Sequence, residues 1–216
     1  MSALAGKFLA IEGPIGVGKT SLVDSLARRL DAEKVLEDTA NPFLNPFYAD
    51  KPGAAFQAQL FFLLTRYQQQ LRLRQRSLFR PLTVSDYLFT KDRIFAHLNL
   101  SDDELLLYEK IYEVLEPQLA KPDVVIYLQA STEVLLRRIR MRRRDYEADI
   151  SPEYVNQVNE AYNYFFYHYR ATPLLVINTS EIDFVKRPAD LDELIRQIQK
   201  VEGGTRFFVP PASEEG

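Results

Sequence analysis

The sequence predicts an α/β protein with a doubly wound parallel sheet of five strands and helices on both faces of the sheet. Short apolar runs without polar alternation alternate along the chain with segments of helical periodicity, a pattern typical of strands buried on both sides. Strands that are each followed by a helix form parallel sheets. The 216 residues are 46% hydrophobic and 26% charged. We expect one domain over residues 1–202 and a loosely ordered tail over residues 203–216.

The individual elements follow from the same two patterns. The predicted strands cover residues 7–13, 33–38, 81–86, 123–129 and 173–179. The predicted helices cover residues 19–30, 54–75, 101–119, 152–170 and 191–201, with an arginine-rich helix that begins at Ser131. The helix at residue 101 opens with "SDDE", which is the pattern of a capping box.

Composition argues against several classes of protein. There is no cysteine, so neither a disulfide framework nor a thiolate metal site is expected. The formal net charge of -3 does not favour nucleic-acid binding, which calls for a basic face on a basic domain. The start "MSALAGKFLAIEG" lacks the pattern of a signal peptide, and no run approaches the roughly 20 apolar residues of a membrane span. We therefore expect a cytoplasmic protein without a membrane partner.

The strongest motif is "GPIGVGKT", which follows the first apolar strand and opens the first helix. It satisfies G-x-x-x-x-G-K-[ST], in which backbone N–H groups and a helix N-terminus surround phosphate oxygens. Lys19 is expected to reach the β- and γ-phosphates and the Thr20 hydroxyl to ligate Mg²⁺. The nucleotide-binding residues predicted from this motif are Gly13, Pro14, Ile15, Gly16, Val17, Gly18, Lys19, Thr20 and Ser21.

The phosphate loop alone does not specify a reaction, because GTPases, ATPases and small-molecule kinases share it. The chain has no Asn-Lys-x-Asp motif to read guanine and no Leu-Ser-Gly-Gly signature of a transporter ATPase. With GTPases and transporter ATPases excluded, the sequence favours a kinase that transfers a phosphoryl group. Two alternatives stay open, namely another small-metabolite or nucleoside-monophosphate kinase, and a nucleotide-binding module without transfer activity.

Several separated segments resemble the deoxyribonucleoside kinases, specifically the bacterial deoxyadenosine/deoxyguanosine kinase branch. They are "IEGPIGVGKTSL", "VLED", "NPFY" and "AFQAQLFFLLTR", in this order, within a resemblance that runs from about residue 7 to residue 201. The resemblance implies a P-loop kinase fold with an arginine-rich lid. It also implies Mg-ATP as donor, the 5′-hydroxyl of a deoxynucleoside as acceptor, and a homodimer joined through the helices at 54–75 and 101–119. Purine deoxynucleosides are the first choice, and deoxycytidine is possible.

The resemblance assigns the reacting groups to two strand ends. Glu37 of "VLED" matches the family carboxylate beside the acceptor hydroxyl, where it would act as the base. Asp86 ends the strand "PLTVSD" and would hold magnesium together with Thr20. The sequence departs from the family pattern at Tyr87, where many relatives have arginine; we expect Arg93 or a lid arginine to compensate.

The resemblance places the acceptor-binding residues on two helices. Tyr48 matches the tyrosine that contacts the sugar 3′-hydroxyl. Gln59 and Arg66 match the residues that read the base, and their spacing of seven puts them on one helix face. Gln57 is the alternative to Gln59 as the glutamine that reads the base. Asp92 matches the carboxylate that pairs with the base-reading arginine, and it is also a candidate helix N-cap.

Arginines are concentrated in "RRIRMRRRDYE", where six of the first eight residues are arginine. A nucleic-acid arm, a solvated helix face and a clamp for a small polyanion are the three interpretations, and the phosphate loop favours the clamp. The segment resembles the family lid, over about residues 137–150. Arg138, Arg142 and Arg144 match the lid arginines, and Arg138 and Arg142 would grip phosphate oxygens. Arg144 is assigned to substrate binding together with Glu147, which matches the lid glutamate near the sugar. We expect the remaining arginines, Arg137, Arg140 and Arg143, to be solvated or to steer nucleotides.

Overall fold

The computed structural model describes residues 4–76, 82–142, 150–180, 184 and 187–209. The strands are β1 (Lys7–Glu12), β2 (Glu33–Val35), β3 (Leu82–Ser85), β4 (Val124–Gln129), β5 (Leu174–Asn178) and β6 (Thr205–Phe208). They form one parallel sheet in the order β2-β3-β1-β4-β5-β6. The predicted α/β class with a parallel sheet is confirmed.

The predicted number of five strands is wrong, because β6 makes the sheet six-stranded. This strand lies in the segment that the sequence predicts as a loosely ordered tail. It pairs with β5 at the edge of the sheet, and three of its four residues are exposed. An exposed edge strand lacks the buried apolar run by which the other strands are recognised.

Eight α-helices lie in the part of the chain that the structure describes. They are α1 (Lys19–Leu30), α2 (Leu44–Tyr48), α3 (Ala54–Arg76), α4 (Lys91–Asn99), α5 (Asp102–Leu115), α6 (Thr132–Arg142), α7 (Pro152–His168) and α8 (Pro188–Gln199). The predicted capping box of α5 is present, with Ser101 and Glu104 as its two members. None of the described helices is long and apolar enough to cross a membrane.

Helices cover both faces of the sheet, as the uniformly apolar strands require. On one face, α1, α6 and α8 contribute Leu22, Leu135 and Leu194 to a core with inward residues of the strands. On the other face, α4 and α7 contribute Ile94 and Tyr162 to a second core. A third apolar cluster joins α3, α4 and α5 beside the sheet.

The sheet order places the predicted site residues at one edge. Strand β1 lies between β3 and β4, and in parallel sheets ligands bind outside the carboxyl ends of the strands. The phosphate loop follows β1, Glu37 follows β2, and Asp86 follows β3. Topology alone therefore brings together three segments that are far apart in sequence.

Candidate active site

A cavity of about 820 Å³ opens at this edge of the sheet. Most of the residues that the sequence predicts for a site contribute to its lining, and they come from the phosphate loop, the strand ends and helices α2, α3, α4 and α6. Those residues are Ile15, Gly16, Val17, Gly18, Lys19, Thr20, Ser21, Glu37, Tyr48, Gln59, Arg66, Asp86, Asp92, Arg138 and Arg142. Gly13 and Pro14 are not among the lining residues, and the predicted lid residues Arg144 and Glu147 lie outside the described residues.

The phosphate loop needs its glycines for geometric reasons. Gly16 has φ 83° and Gly18 has φ 107°, a region that other residues avoid. A Cβ on Gly16 would also lie 2.8 Å from Ile139 Cγ1 and 3.0 Å from the Leu135 carbonyl oxygen. The loop therefore packs directly on α6, the helix that carries the arginines.

Lys19 bridges the two ends of the loop. Its ammonium donates to the carbonyl oxygen of Gly13 at 2.6 Å and to that of Pro14 at 3.4 Å. Burial lowers the pKa of Lys19, and the nearby charge of Lys91 lowers it further, whereas the carboxylates around it act in the opposite direction. The ammonium thus lies at the boundary between the loop and an acidic group of side chains.

Asp86 joins the phosphate loop to the segment that carries Glu37. Its Oδ2 accepts a hydrogen bond from the Thr20 hydroxyl at 2.9 Å, and its Oδ1 accepts one from the Glu37 backbone N–H at 2.6 Å. The Asp86 N–H in turn donates to the Val35 carbonyl oxygen at 3.2 Å. A hydroxyl and a carboxylate, both hard oxygen donors, therefore lie side by side.

This pair of oxygens fits Mg²⁺. In phosphoryl-transfer sites the ion takes one or two protein oxygens and completes its shell with phosphates and water. Thr20 and Asp86 are the residues that would hold it. The described residues contain no group of three or more His, Cys, Asp or Glu that could by itself hold a metal ion.

The Glu37 carboxylate is held from two sides by cations. Its Oε1 accepts from the Arg66 guanidinium, from Nη2 and from Nε at 3.1 Å, and its Oε2 accepts from the Lys91 ammonium at 2.6 Å. Burial acts to raise the pKa of Glu37, but Arg66 and Lys91 outweigh it and hold that pKa well below the usual range. Glu37 is consequently an ionised hydrogen-bond acceptor at the wall of the cavity.

Arg66 connects Glu37 to Asp92. Its Nη1 donates to Asp92 Oδ1, and its guanidinium carbon lies 4.7 Å from the centre of the Phe62 ring. Burial raises the pKa of Asp92 to about 6, although Arg66 and Lys91 act to lower it. Among the described residues nothing hydrogen-bonds Asp92 Oδ2, a buried atom. This oxygen and the guanidinium are polar groups at the cavity wall.

Asp92 does not form the helix N-cap that the sequence suggests as its second role. Thr90 occupies the N-cap position of α4, and Asp92 lies in the first turn. A carboxylate there still interacts favourably with the positive end of the helix dipole. The side chain points instead to Arg66.

Gln59 lines the cavity, whereas its rival Gln57 is exposed and does not. Gln59 is only 5% exposed. Tyr48, at the end of α2, also lines the cavity and lies beside Phe47, with the ring centres 5.1 Å apart. Of the four aromatic residues of α3, namely Phe56, Phe61, Phe62 and Tyr67, Phe62 alone lines the cavity.

The two arginines of α6 that the sequence selects for a clamp both line the cavity. Arg138 is tied to the fold: its Nη1 donates to the Val17 carbonyl oxygen at 3.1 Å, and its Nη2 donates to the Thr179 carbonyl oxygen at 2.7 Å. It therefore joins the phosphate loop to the end of β5. Arg142, one turn later, is exposed at the mouth. Arg137 and Arg140 are exposed on α6 and do not line the cavity, and Arg143 lies outside the described residues.

Sequence reasoning missed several residues of the cavity wall. Lys91 is the most informative, because it contacts Glu37 directly; its place beside Asp92 is the one signal that could have identified it. Glu12, at the end of β1, is fully buried and does not line the cavity; its carboxylate accepts from the N–H groups of Gly13 and Leu88. The wall also includes apolar and aromatic residues without a motif, namely Leu36, Leu44, Phe47, Phe95, Met141, Tyr154, Tyr162 and Phe184.

Arg93 does not replace the family arginine that Tyr87 displaces. Its Nε donates to Glu109 at 2.9 Å, and its guanidinium carbon lies 5.3 Å from the centre of the Tyr112 ring. It is not among the residues that line the cavity. The expectation that Arg93 compensates for Tyr87 is therefore wrong.

Comparisons with known proteins agree with this geometry. The family model "deoxynucleoside kinase" matches residues 9–202. A deoxyguanosine kinase of Bacillus subtilis is 34% identical over 202 residues, which cover 90% of this chain and 97% of that protein. A deoxyadenosine kinase of Dictyostelium discoideum is 35% identical over 213 residues, which cover 95% of this chain and 83% of that protein.

Solved structures show the same fold. A deoxyadenosine kinase from M. mycoides with the products dCMP and a flexible dCDP bound superimposes with a TM-score of 0.77 at 24% identity, covering 90% of this chain and 100% of that one. The same enzyme with bound dCTP gives a TM-score of 0.74 at 25% identity and the same coverage. The phosphate loop, the acidic strand ends and the family match over residues 9–202 together lead to one conclusion: the chain belongs to the deoxynucleoside kinase family.

Proposed function

We propose that this protein transfers the γ-phosphoryl group of Mg-ATP to the 5′-hydroxyl of a purine deoxynucleoside, as a step of nucleotide salvage. One observation carries the proposal: the Glu37 carboxylate and the phosphate loop line a single cavity and are joined through Asp86. The relatives that are 34–35% identical are named deoxyguanosine and deoxyadenosine kinases. A nucleoside-monophosphate kinase would need cations that are free to bind a second phosphate group, whereas the cations at the acceptor end, Arg66 and Lys91, are paired with the carboxylates of Glu37 and Asp92.

At the donor end, the loop amides of residues 13–21 bind the phosphates of ATP. Lys19 neutralises charge on the β- and γ-phosphates, and it exchanges its present carbonyl partners for phosphate oxygens. Thr20 and Asp86 would hold Mg²⁺, and the ion would supply positive charge that neutralises the phosphates. The 2.9 Å contact between their side-chain oxygens supports this pairing.

At the acceptor end, Glu37 accepts a hydrogen bond from the 5′-hydroxyl. Because its pKa is held low by Arg66 and Lys91, Glu37 is ionised at neutral pH and orients the hydroxyl rather than removing its proton early. That order suits a loose transition state, in which most of the bond to the leaving group has broken before the nucleophile attaches. Tyr48, which lines the same cavity, is proposed to contact the sugar 3′-hydroxyl.

A bond forms between the acceptor 5′-oxygen and the γ-phosphorus, and the bond from that phosphorus to the β,γ-bridging oxygen breaks. The electron pair of the broken bond stays with ADP, and the hydroxyl proton passes to Glu37. Arg138 and Arg142 of the lid stabilise the charge that spreads over the transferring group, an effect worth about 10³–10⁵ in rate for such arginines. Arg144 is proposed as a third lid arginine that binds substrate, and Glu147 as the lid glutamate near the sugar.

The residues proposed to recognise the base are Gln59, Arg66 and Asp92. A glutamine amide offers both a donor and an acceptor to a base edge, and the ion pair of Arg66 with Asp92 holds a second donor and acceptor at a fixed spacing. A cytosine base could use the same groups. The M. mycoides deoxyadenosine kinase has been solved with dCTP bound, so deoxycytidine stays the second candidate.

A homodimer is also part of the proposal. Helices α3 and α5, which the resemblance assigns to the dimer interface, carry exposed apolar residues where a solvated helix would be polar. They are Leu64 on α3 and Leu106, Leu107 and Val114 on α5. A cytoplasmic location stays a prediction from the sequence.

One panel of reactions tests the proposed function. Purified protein is incubated with Mg-ATP and each of the four deoxynucleosides, and 5′-monophosphate is measured. We expect product with deoxyadenosine and deoxyguanosine at higher kcat/KM than with deoxycytidine, and little with thymidine. A preference for nucleoside monophosphates as acceptors, or no product from any deoxynucleoside, would refute the assignment.

A further inference from the structure

Lys91 is a buried cation at the acceptor end of the cavity. It is the first residue of α4, is 6% exposed, and lines the cavity. Its ammonium donates to Glu37 Oε2 at 2.6 Å and lies 5.9 Å from the centre of the Phe95 ring. Lysine is among the residues that are almost never fully buried unless paired, so this position calls for an explanation.

Tyr87 does not provide a positive charge to the site. It is fully buried, and no described group hydrogen-bonds its hydroxyl. Burial raises the pKa of that hydroxyl well above its usual range, so Tyr87 is neutral. It is not among the residues lining the cavity, and Arg93 points away to Glu109. Within residues 86–93, Lys91 is therefore the cation that lines the cavity.

We propose that Lys91 is both a positioning and a catalytic residue of the acceptor half of the site: it holds the Glu37 carboxylate against the acceptor hydroxyl and supplies positive charge to the attacking oxygen. This inference rests on the proposed function. Tyr87, the residue directly after Asp86, cannot supply this positive charge. Lys91, at the start of α4, supplies it instead.

The geometry gives Lys91 a task that Arg66 does not perform. Arg66 divides its guanidinium between Glu37 Oε1 and Asp92 Oδ1, and so links the carboxylate to the base end of the cavity. Lys91 contacts the other oxygen, Oε2. With one cation on each oxygen, the plane of the carboxylate is fixed. Removing either cation would leave the carboxylate able to rotate out of line with the hydroxyl.

An ammonium has three N–H donors, so Lys91 can keep its bond to Glu37 and still donate to the acceptor oxygen beside it. As the 5′-oxygen attacks the γ-phosphorus and its proton moves to Glu37, the Lys91 ammonium stabilises charge on the oxygen. The bonds that form and break are those of the proposed transfer. Lys91 thus affects the rate of the chemical step more than the binding of ATP.

The test compares wild type with Lys91→Gln, Lys91→Arg, Lys91→Ala and Tyr87→Phe, each checked for folding by thermal unfolding. We expect Lys91→Gln to lower kcat by about 10²-fold, the order of one electrostatic contact in a transition state, with KM for ATP within about threefold. Lys91→Arg should recover part of the loss, and added methylammonium should partly restore Lys91→Ala. Tyr87→Phe and the exposed control Lys200→Met should keep wild-type kcat.

The outcomes separate the two proposals. If the wild type makes product and folded Lys91→Gln has the same kcat, the role of Lys91 is overturned and the proposed function stands. Equal losses in Lys91→Gln and Lys91→Arg, with no response of Lys91→Ala to methylammonium, would show that shape rather than charge matters and would also overturn it. No product from the wild type would refute the proposed function and this inference with it. If Lys91→Gln does not fold, the methylammonium response of Lys91→Ala and the kcat of Lys91→Arg decide the question.

Discussion

The Thr20 hydroxyl donates a 2.9 Å hydrogen bond to Asp86 Oδ2, although the two residues are 66 positions apart in the sequence. The other oxygen of the same carboxylate accepts the backbone N–H of Glu37. One side chain at the end of β3 therefore links the phosphate loop to the carboxylate that is proposed to face the acceptor hydroxyl. A displacement of the Asp86 side chain would therefore disturb the phosphate loop and the Glu37 segment at once.

Removing the charge of Asp86 should impair metal-dependent turnover. In Asp86→Asn the shape and one acceptor oxygen remain, but the negative charge that attracts Mg²⁺ is lost. We expect kcat to fall by about 10²-fold, in line with the several kcal/mol that a metal ion contributes to such a step. The Mg²⁺ concentration for half-maximal rate should also rise. Rates measured over a magnesium series would settle this, with Asp102→Asn, on the exposed start of α5, as the control; an unaltered magnesium curve would count against the assignment.

The two exposed arginines at the end of α6 should differ in their effect on catalysis. Arg142 lines the cavity, whereas Arg140 is exposed and does not. Arg142→Met should therefore lower kcat by about 10³-fold, and Arg140→Met should change it by less than about threefold. Steady-state kinetics with saturating ATP and deoxynucleoside compares them directly. Equal losses in the two variants would indicate general electrostatic steering instead of a clamp.

The pH dependence of stability should reveal the buried carboxyl of Asp92. Its pKa rises from the ordinary 3.8 to about 6 in the folded protein, so the folded state binds the proton more tightly between these two values. The contribution of Asp92 to folding is then largest at low pH and declines as pH increases from about 4 to 6.

Urea unfolding of wild type and Asp92→Asn at a series of pH values measures this contribution. The free energy of unfolding of wild type minus that of the variant should decrease by on the order of 2 kcal/mol between pH 4 and pH 7. Glu37, whose pKa is held low, titrates in both proteins and largely cancels in the difference. A difference that grows with pH would mean that Arg66 lowers the pKa of Asp92 more than burial raises it.

The exposed apolar face of α5 should decide the oligomeric state. Val114 is 66% exposed and Leu106 is 60% exposed, so a charge placed there costs little in an isolated chain. In a dimer joined through this face the same charge would be buried without a partner. Val114→Glu is therefore expected to convert a wild-type dimer into a folded monomer, as measured by light scattering after size-exclusion chromatography. A wild type that is monomeric at micromolar concentration would contradict the dimer.

Local motifs made much of the donor half of the site predictable. The phosphate loop is a continuous segment that lies directly between a strand and a helix. Its position in the fold was therefore predictable from the adjacent sequence. Glu37 and Asp86 were identified through family resemblance, and the parallel sheet accounts for their proximity. The preference for Gln59 over Gln57 agrees with the geometry, because seven residues from Gln59 to Arg66 span about two helical turns.

The remaining contacts depend on packing between distant segments. Lys91 meets Glu37 across 54 residues, and Arg138 meets Thr179 across 41 residues. No local pattern encodes either contact, and the edge strand β6 likewise has no buried apolar run. Asp92 is not the N-cap of α4, because Thr90 occupies that position and the Asp92 side chain pairs with Arg66 on another helix.

Glu37→Gln gives the most direct test of the central claim, which is that one cavity binds triphosphate and activates a sugar hydroxyl through this carboxylate. Glutamine keeps the size of the side chain but cannot take the proton. ATP affinity, measured by calorimetry, and single-turnover phosphorylation of deoxyadenosine are compared with wild type. The account predicts ATP binding within about threefold and a rate lower by about 10²–10⁴-fold. A variant that phosphorylates deoxyadenosine at the wild-type rate would contradict it.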